Sequence, residues 1–333
     1  MSEESFEKKV YNSQLDLTVN SEKTFEIRNC LFDNCHSSKN GGAIYIDRSA
    51  DSGSIRIINT GFYNCKSKGD SGAFYVNAPY YFELSSCCFT KCSGKLNVIG
   101  YGSGKGNRCV INNCYFTDTT NSGSGSDVVL GYNDIYFSKC NISNIASSDC
   151  KSVFEFKDYS SISFGESYMF KNVAKTILCF SGTINFKIQN VNFIENKGST
   201  CLADVAKKVT SFYQCSFIND KSKMFFLEPC LLEECVFSDD FSKDKFPSDF
   251  ATIHCSFKET KSFSINIEHS DGCWALITKS PININKKGSF FNFSTIFTTI
   301  ILIPVILALA YFIYRHVKGM RNQDSLLRLY SNV

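Results

Sequence analysis

The chain has 333 residues, of which 43% are hydrophobic and 20% charged, so it can form a sizeable core. Its formal net charge is only +3, and basic residues are interleaved with acidic ones, which argues against a nucleic-acid-binding protein. Thirty-one Phe, 17 Cys and only five Pro, set among Asn, Ser and Gly, are typical of short strands joined by tight turns.

Residues 1–23 form a lead-in to the rest of the chain. They contain no apolar run that could act as a secretory signal. Two explanations stay open: the natural start lies upstream, so that the lead-in is truncated, or the protein inserts into a membrane through its C-terminal part.

From residue 24 to residue 280 the sequence repeats itself. The segment "CLFDNCHSSKNGGAIYI", residues 30–46, is echoed by "TGFYNCKSKGDSGAFYV", residues 60–76. Recurrence at intervals of about 20 to 50 residues is typical of stacked repeat architectures. Ten units follow from the recurring aromatic anchors, which are Phe32, Phe62, Phe89, Phe116, Phe137, Phe170, Phe193, Phe217, Phe237 and Phe257.

The residues before each anchor alternate between apolar and polar, as in "SIRIINTGF", which predicts a strand with one face inside and one outside. A unit of this size without a helix cannot bury its apolar side alone. Units stacked about 4.8 Å apart, with every strand parallel to its neighbours, would line an interior with ladders of like residues. The sequence therefore predicts an all-β fold, a right-handed parallel β-helix of about ten rungs.

Two further sets of positions recur with the anchors. Three residues after an anchor we expect corner positions, where an Asn side chain can bond the backbone of the adjacent turn. Gly41, Gly42 and Gly72 are expected in tight turns that need glycine. The predicted corner residues are Cys35, Cys65, Cys92, Cys140 and Asn196.

The cysteines repeat in phase with the rungs. Equivalent Cα atoms would lie about 4.8 Å apart, but parallel neighbours in register seldom reach the relaxed geometry of a disulfide. Reduced or mixed cysteine ladders are therefore the leading interpretation, and rungs joined by disulfides in an oxidising exterior are the alternative.

The C-terminal part of the chain is predicted to enter the lipid bilayer. Residues 281–292 are interpreted as a juxtamembrane linker, and residues 293–314 as a transmembrane helix, because the chain carries no charge from Ser289 to Tyr314. Residues 315–333 form a short basic tail, which favours a cytosolic C-terminus. Tyr330 and Val333 fit the Y-x-x-Φ pattern read by endocytic adaptors, although a tail without a partner explains the same residues.

The motifs "GGAI" at 41–44 and "FIEN" at 193–196 resemble the repeats of the chlamydial polymorphic outer-membrane proteins, which carry GGA[ILV] and F-x-x-N. In "FDNC", "FYNC", "FTKC" and "FSKC" a Cys stands where that family has Asn. These repeats, followed by one C-terminal membrane span and a short tail, give the chain an organisation similar to that of surface proteins of trichomonad-like protozoa. The resemblance implies an adhesin-type surface protein with a β-helix ectodomain.

No catalytic, metal or cofactor site is predicted. The sequence has no C-x-x-C pair, and its four His fall at no ligand spacing. Parallel β-helices also host enzymes that act on acidic polysaccharides, but the best carboxylate pair, Asp239 and Asp240, consists of chain neighbours that point to opposite faces of a strand. Asn141 begins a glycosylation sequon, Asn-Ile-Ser.

These observations favour a single-pass plasma-membrane protein with its β-helix outside the cell and its C-terminus in the cytosol. The partners expected are the lipid bilayer, a host-cell or matrix ligand that is a protein or a glycan, and an endocytic adaptor at the tail, but not nucleic acid. The alternatives are a structural spacer or coat protein without a specific ligand and, second, a polysaccharide-active enzyme.

Overall fold

The structure is a computed structural model that describes residues 3–19, 24–48, 53–77, 80–95, 99–102, 106–147, 149, 151–157, 159–181, 186–205, 210–238 and 245–265. The predicted linker, membrane span and tail lie outside these residues. Within the described ranges, no helix has the length and apolar character needed to cross a membrane.

The described chain is built from β-strands. They are β1 (Glu3–Glu7), β2 (Val10–Tyr11), β3 (Leu15–Val19), β4 (Thr24–Arg28), β5 (Leu31–Asp33), β6 (His36–Ser37), β7 (Ile44–Arg48), β8 (Ser54–Ile58), β9 (Gly61–Tyr63), β10 (Lys66–Ser67), β11 (Phe74–Asn77), β12 (Tyr81–Ser85), β13 (Cys88–Thr90), β14 (Ser93–Gly94), β15 (Ile99–Gly102), β16 (Gly106–Asn112), β17 (Tyr115–Thr117), β18 (Thr120–Asn121), β19 (Val128–Ser138), β20 (Asn141–Ser143), β21 (Ser152–Lys157), β22 (Ser161–Phe170), β23 (Val173–Ser181), β24 (Lys187–Ile194), β25 (Lys197–Val205), β26 (Thr210–Tyr213), β27 (Ser216–Ile218), β28 (Lys221–Phe226), β29 (Cys230–Glu233), β30 (Val236–Phe237), β31 (Ala251–Ile253) and β32 (Ser256–Phe257).

These strands coil into a parallel β-solenoid. The third rung shows the plan. In it β8 pairs with β4 and β12, β9 with β5 and β13, β10 with β6 and β14, and β11 with β7 and β15, all in parallel. The predicted all-β parallel β-helix is therefore confirmed at the level of fold. The right-handedness of the β-helix and the C-terminal transmembrane helix stay predictions.

An aromatic stack runs through the interior. The rings of Phe32 and Phe62 are 5.1 Å apart, those of Phe62 and Phe89 4.6 Å, and those of Phe89 and Phe116 5.0 Å, each nearly parallel. These separations match the strand spacing of about 4.8 Å, so stacking in register places ring on ring. A second run joins Phe193, Phe217, Phe237 and Phe257 at 5.0, 4.7 and 5.2 Å.

Two predicted anchors, Phe137 and Phe170, do not lie in this ladder, so their prediction is wrong. The residue in register with Phe116 is Ile142, and the next is Met169, which in turn pairs with Phe193. The prediction assumed an aromatic residue at the inward position, whereas this position accepts any large apolar side chain.

Phe137 and Phe170 occupy other places. Phe137 is buried one strand earlier in the rung, in register with Ile111 and Phe164. Phe170 is half-buried and carries the Lys171 ammonium 4.6 Å from its ring centre. The rung count also differs from ten, because the ladder begins before residue 24, where Tyr11 stacks on Phe32 at 4.7 Å.

From residue 29 to residue 219, the rungs bend at two left-handed residues five positions apart. Asn29 and Asn34 are the first such pair, with φ of 56° and 53°, and Asn59 and Asn64 follow with 47° and 51°. Asn tolerates this conformation better than most residues. The bends therefore fall one residue before Cys35, Cys65, Cys92 and Asn196, which point inward beside the bend and do not form it.

The buried thiols at the bends satisfy backbone carbonyls of the preceding rung. Cys35 Sγ donates to Tyr11 O at 3.2 Å, and Cys65 Sγ to Phe32 O at 3.4 Å. Cys140 belongs to the other bend of the rung, where its thiol donates to Ser138 O at 3.2 Å. Its predicted position three residues after an anchor is therefore wrong, since Ile142, two residues later, is the anchor.

In the later rungs an amide ladder replaces the thiols at the second bend. Asn196 Nδ2 donates to Met169 O at 2.8 Å and to Asp220 Oδ1 at 3.0 Å, while Asn172 Nδ2 donates to Asn196 Oδ1 at 3.0 Å. All three polar side chains are buried. Hydrogen bonding along the stack offsets the cost of burying them.

The predicted tight turns depend on close contact between rungs. Gly41 has φ +69°, and a Cβ on Gly42 would lie 2.1 Å from Gly72 O. A Cβ on Gly72 would lie 2.3 Å from the backbone of Ser93. The small residues are therefore required by the backbone of the next rung as well as by the turn.

Replacing Phe89 should destabilise the fold far more than replacing Phe170. We expect Phe89→Ala to lower the free energy of unfolding by about 3–5 kcal/mol, because it leaves a cavity between two stacked rings. Phe170→Ala should cost less than about 1 kcal/mol, because that ring is half-exposed. Urea unfolding of the two variants measures the difference, and equal costs would contradict the register described for this ladder.

The buried thiols should resist alkylation in the native protein. Fourteen described cysteines are free, and all of these except Cys255 are buried, whereas Cys88 is disulfide-bonded. Burial raises the pKa of Cys87 and Cys114 well above the ordinary value. Treatment with iodoacetamide at pH 8 should leave both unmodified in peptide mass spectra and modify them fully in urea. Rapid modification of either in the native state would contradict the ladder geometry.

Candidate binding site

A cleft of about 630 Å³ lies on the outer surface of the later rungs, beside the second bend. Three of its lining residues are lysines. The lining residues are Lys171, Val173, Glu195, Lys197, Asn219, Asp220 and Lys221. We call this the lysine cleft.

The parallel register builds this cleft from three successive strands. Val173 at the start of β23 pairs with Lys197 at the start of β25, which pairs with Lys221 at the start of β28. Both lysines are exposed, and their Cα atoms are neighbours across one strand spacing of about 4.8 Å. Like charges placed directly opposite each other destabilise a sheet.

The rim of the lysine cleft lies on the second bend. Lys171, Glu195 and Asn219 are its left-handed residues in three successive rungs, with φ of 54°, 56° and 53°. Lys171 Nζ lies 3.6 Å from Glu195 Oε2, and both side chains are about half exposed, so this ion pair contributes little to stability. It nevertheless neutralises one of the three cleft lysines.

The floor of the cleft is polar and rigid. Asp220 Oδ1 accepts hydrogen bonds from the backbone amide of Asn196 at 2.8 Å and from its Nδ2 at 3.0 Å. The amide ladder thus fixes the backbone from which Lys197 and Lys221 project. Each of their ammonium groups can donate several hydrogen bonds to an anion, and the backbone that carries them is held in place.

A second polar group surrounds the buried carboxylate of Glu155 on β21. Ser126 Oγ donates to Glu155 Oε2 at 2.8 Å, Lys151 Nζ contacts Glu155 Oε1, and Lys157 Nζ lies 3.4 Å from Glu155 Oε2. Burial alone would raise the pKa of Glu155, but the hydrogen bonds from Lys151 and Ser126 outweigh it, so the pKa is lowered.

This polar group has the rung-spaced carboxylates that the sequence interpretation lacked. Glu155 pairs with Cys179, and Cys179 pairs with Asp204, so two carboxylates stand two rungs apart on one ladder. Glu155 is only 2% exposed and Cys179 only 3%. A polymeric substrate cannot reach these atoms in this conformation, which favours a structural role.

Asp127 is a buried carboxyl in an apolar ladder. It directly precedes Val128, which occupies the position held by Ile44 after the Gly42-Ala43 turn. Ser147 Oγ donates to Asp127 Oδ1 at 3.1 Å, and no partner for Oδ2 is found among the described residues. Burial raises the pKa of Asp127 to about 8.

A smaller cleft of about 440 Å³ forms where the chain returns along the side of the stack. Its lining residues are Lys139, Glu166, Asn190, Gln214, Phe263, Ser264 and Ile265. Asn192 holds the returning segment, since its Nδ2 donates to Phe263 O at 2.8 Å and its Oδ1 accepts from Phe263 N at 3.1 Å.

Two predicted sites remain, the glycosylation sequon at Asn141 and the sorting signal at Tyr330 and Val333. Asn141 is half-buried in β20, in register between Tyr115 and Tyr168, and is a poorer glycan acceptor than the sequon suggested. Tyr330 and Val333 lie outside the described residues. In the described part of the chain, no cluster of His, Cys, Asp and Glu could hold a metal ion.

The sequence did not predict the lysines of the lysine cleft, because Lys197 and Lys221 lie one residue beyond the F-x-x-N positions that define each unit. Lys197 follows Asn196 in "FIENK", and Lys221 follows Asp220 in "FINDK". Extending the alignment of these units by one residue would have placed the two lysines on one ladder. At the equivalent position of the early rungs stand His36, Lys66, Ser93 and Thr120, in which no two lysines are neighbours.

Comparison of the chain with protein-family models, curated proteins and solved structures finds no match. The conclusions about function therefore depend on the sequence and on this geometry.

The raised pKa of Asp127 should make stability fall as pH rises from about 4 to about 8. Over this interval the native carboxyl keeps its proton and the unfolded one has lost it, so the native state binds more protons. This group then removes about 1.4 kcal/mol of stability per pH unit. Urea unfolding at several pH values should show a flatter dependence for Asp127→Asn than for the wild type. Asp118→Asn, at an exposed bend, is the matched control for the loss of a carboxylate.

Proposed function

We propose that the protein is a single-pass surface protein of adhesin type, with its solenoid outside the cell and its C-terminus in the cytosol. The observation that carries this proposal is the solenoid itself, which presents side chains at a fixed spacing on an extended face. Solenoids typically use such repetitive surfaces for binding.

Three further observations support the proposal. The uncharged segment 289–314 is long enough to cross a bilayer as a helix. The lysine cleft is open, charged and supported by a rigid floor, as expected of a binding surface. The carboxylates nearest to a catalytic arrangement, at Glu155 and Asp204, belong to a network in which Glu155 is buried and paired with lysines, so binding without catalysis is the better proposal.

A structural spacer or coat role is the second candidate. The regular stack of aromatic rings and satisfied bends would serve a stiff spacer equally well, and the spacer needs no ligand. The resemblance to surface proteins of adhesin type favours the first candidate. Tyr330 and Val333 remain the proposed contact for an endocytic adaptor.

The full chain displayed on cells should test this proposal. With an epitope tag at each end, the N-terminal tag should be detected on intact cells and the C-terminal tag only after permeabilisation. Displaying cells should then adhere saturably to host-cell monolayers or matrix, above cells that display an unrelated single-pass protein. The reverse tag pattern would contradict the orientation. Correct display without saturable adhesion would favour the spacer.

A further inference from the structure

We propose that the lysine cleft binds a linear anionic polysaccharide, carrying sulfate or carboxylate groups, that lies along the stack of rungs. The proposal rests on the surface-binding function and names the chemistry of its ligand. It follows from the charge, the spacing and the surroundings of the cleft lysines.

The cleft and its margin carry a local excess of positive charge. Two exposed lysines beside the cleft, Lys175 on β23 and Lys223 on β28, add to Lys197 and Lys221. None of these four makes an ion pair with another described residue, whereas Lys171 is paired with Glu195. The whole chain has a net charge of only +3, so this concentration is a property of the site.

The positions of the lysines work against stability. Lys197 and Lys221 are direct neighbours in the parallel register, and alternation along β28 places Lys223 on the same outer face. Residues that break a local rule of stability without compensation are expected at functional sites. An anion lying between the two ammonium groups would remove their repulsion.

The spacing favours a linear ligand with regularly repeated charges. Successive rungs advance by about 4.8 Å along the stack, and the amide ladder beneath them holds this spacing. A polysaccharide with a charged group on each unit can follow such a row. Lysine suits this task because its compact ammonium group can donate hydrogen bonds to sulfate or carboxylate oxygens in many orientations.

The surroundings favour a glycan over a membrane surface. The large hydrophobic residues that are exposed in the described chain are Val10, Tyr80, Tyr136 and Ile253, and none lines the cleft. Peripheral membrane binding normally combines positive charge with apolar residues that enter the bilayer. The lysine cleft has a single apolar lining residue, the half-buried Val173, and otherwise provides polar and charged groups.

Binding of heparin and of polygalacturonate to the full-length chain in detergent micelles tests the proposal for sulfated and carboxylated ligands respectively. The double variant Lys197→Gln/Lys221→Gln should weaken binding of at least one of them by about fivefold to thirtyfold, the effect of losing two exposed ion pairs. The matched control Lys39→Gln/Lys66→Gln removes the same charge from exposed positions in the early rungs and should change binding less than twofold. Raising the salt concentration should weaken wild-type binding more than that of the double variant.

Several results would overturn the proposal. They are equal losses in the two double variants, no binding of either polysaccharide, or preferential binding of phosphatidylserine vesicles that the cleft substitutions abolish. The thermal midpoint of Lys197→Gln/Lys221→Gln should equal or exceed that of the wild type, because repulsion is removed, so lost binding cannot be attributed to unfolding.

The outcomes for the ligand and for the function are distinguishable. Saturable adhesion of displaying cells without binding of either polysaccharide would refute the ligand class and leave the surface-binding function. Binding that depends on Lys197 and Lys221, without adhesion, would support the cleft and contradict the adhesin role.

Discussion

Parallel stacking in register is the constraint on which the structure depends. It places each residue above the equivalent residue of the preceding rung, about 4.8 Å away. Each side chain must therefore be compatible with the side chains directly above and below it. Phe32, Phe62 and Phe89 benefit because flat rings stack at that distance. Lys197 and Lys221 do not, because the same rule brings two positive charges together.

The bends of each rung require hydrogen-bond donors for their buried carbonyls. A backbone that turns twice per rung through left-handed residues leaves carbonyls at buried bends, and buried carbonyls need partners. In the early rungs the thiols of Cys35 and Cys65 supply them, and in the later rungs the amide of Asn196 does so. Cysteine in the early rungs and asparagine in the later rungs therefore play the same part at this position, because both are small donors.

The sequence predicted the fold well because its signals were local. Alternation before each anchor predicted strands, and recurrence predicted stacking. Register was predicted less well, since Ile142 and Met169 hold the inward position without an aromatic ring, while Phe137 and Phe170 are aromatic and lie elsewhere. Neither the lysine cleft nor the buried Glu155 network was predicted, because each joins residues from different rungs that come together only once the register is known.

The returning segment has a mechanical consequence. Residue 257 pairs in the last described rung, yet Phe263 is bonded to Asn192, three rungs earlier, and the carbonyl of Ile265 lies 3.5 Å from Tyr168 Oη, about four rungs earlier. The described chain therefore ends on the flank of the stack. A pulling force applied at residue 265 would first load the hydrogen bond from Tyr168, then the paired hydrogen bonds of Asn192, and would detach a few residues before it reached any rung. The solenoid would then extend by a short length under tension while its core stayed folded.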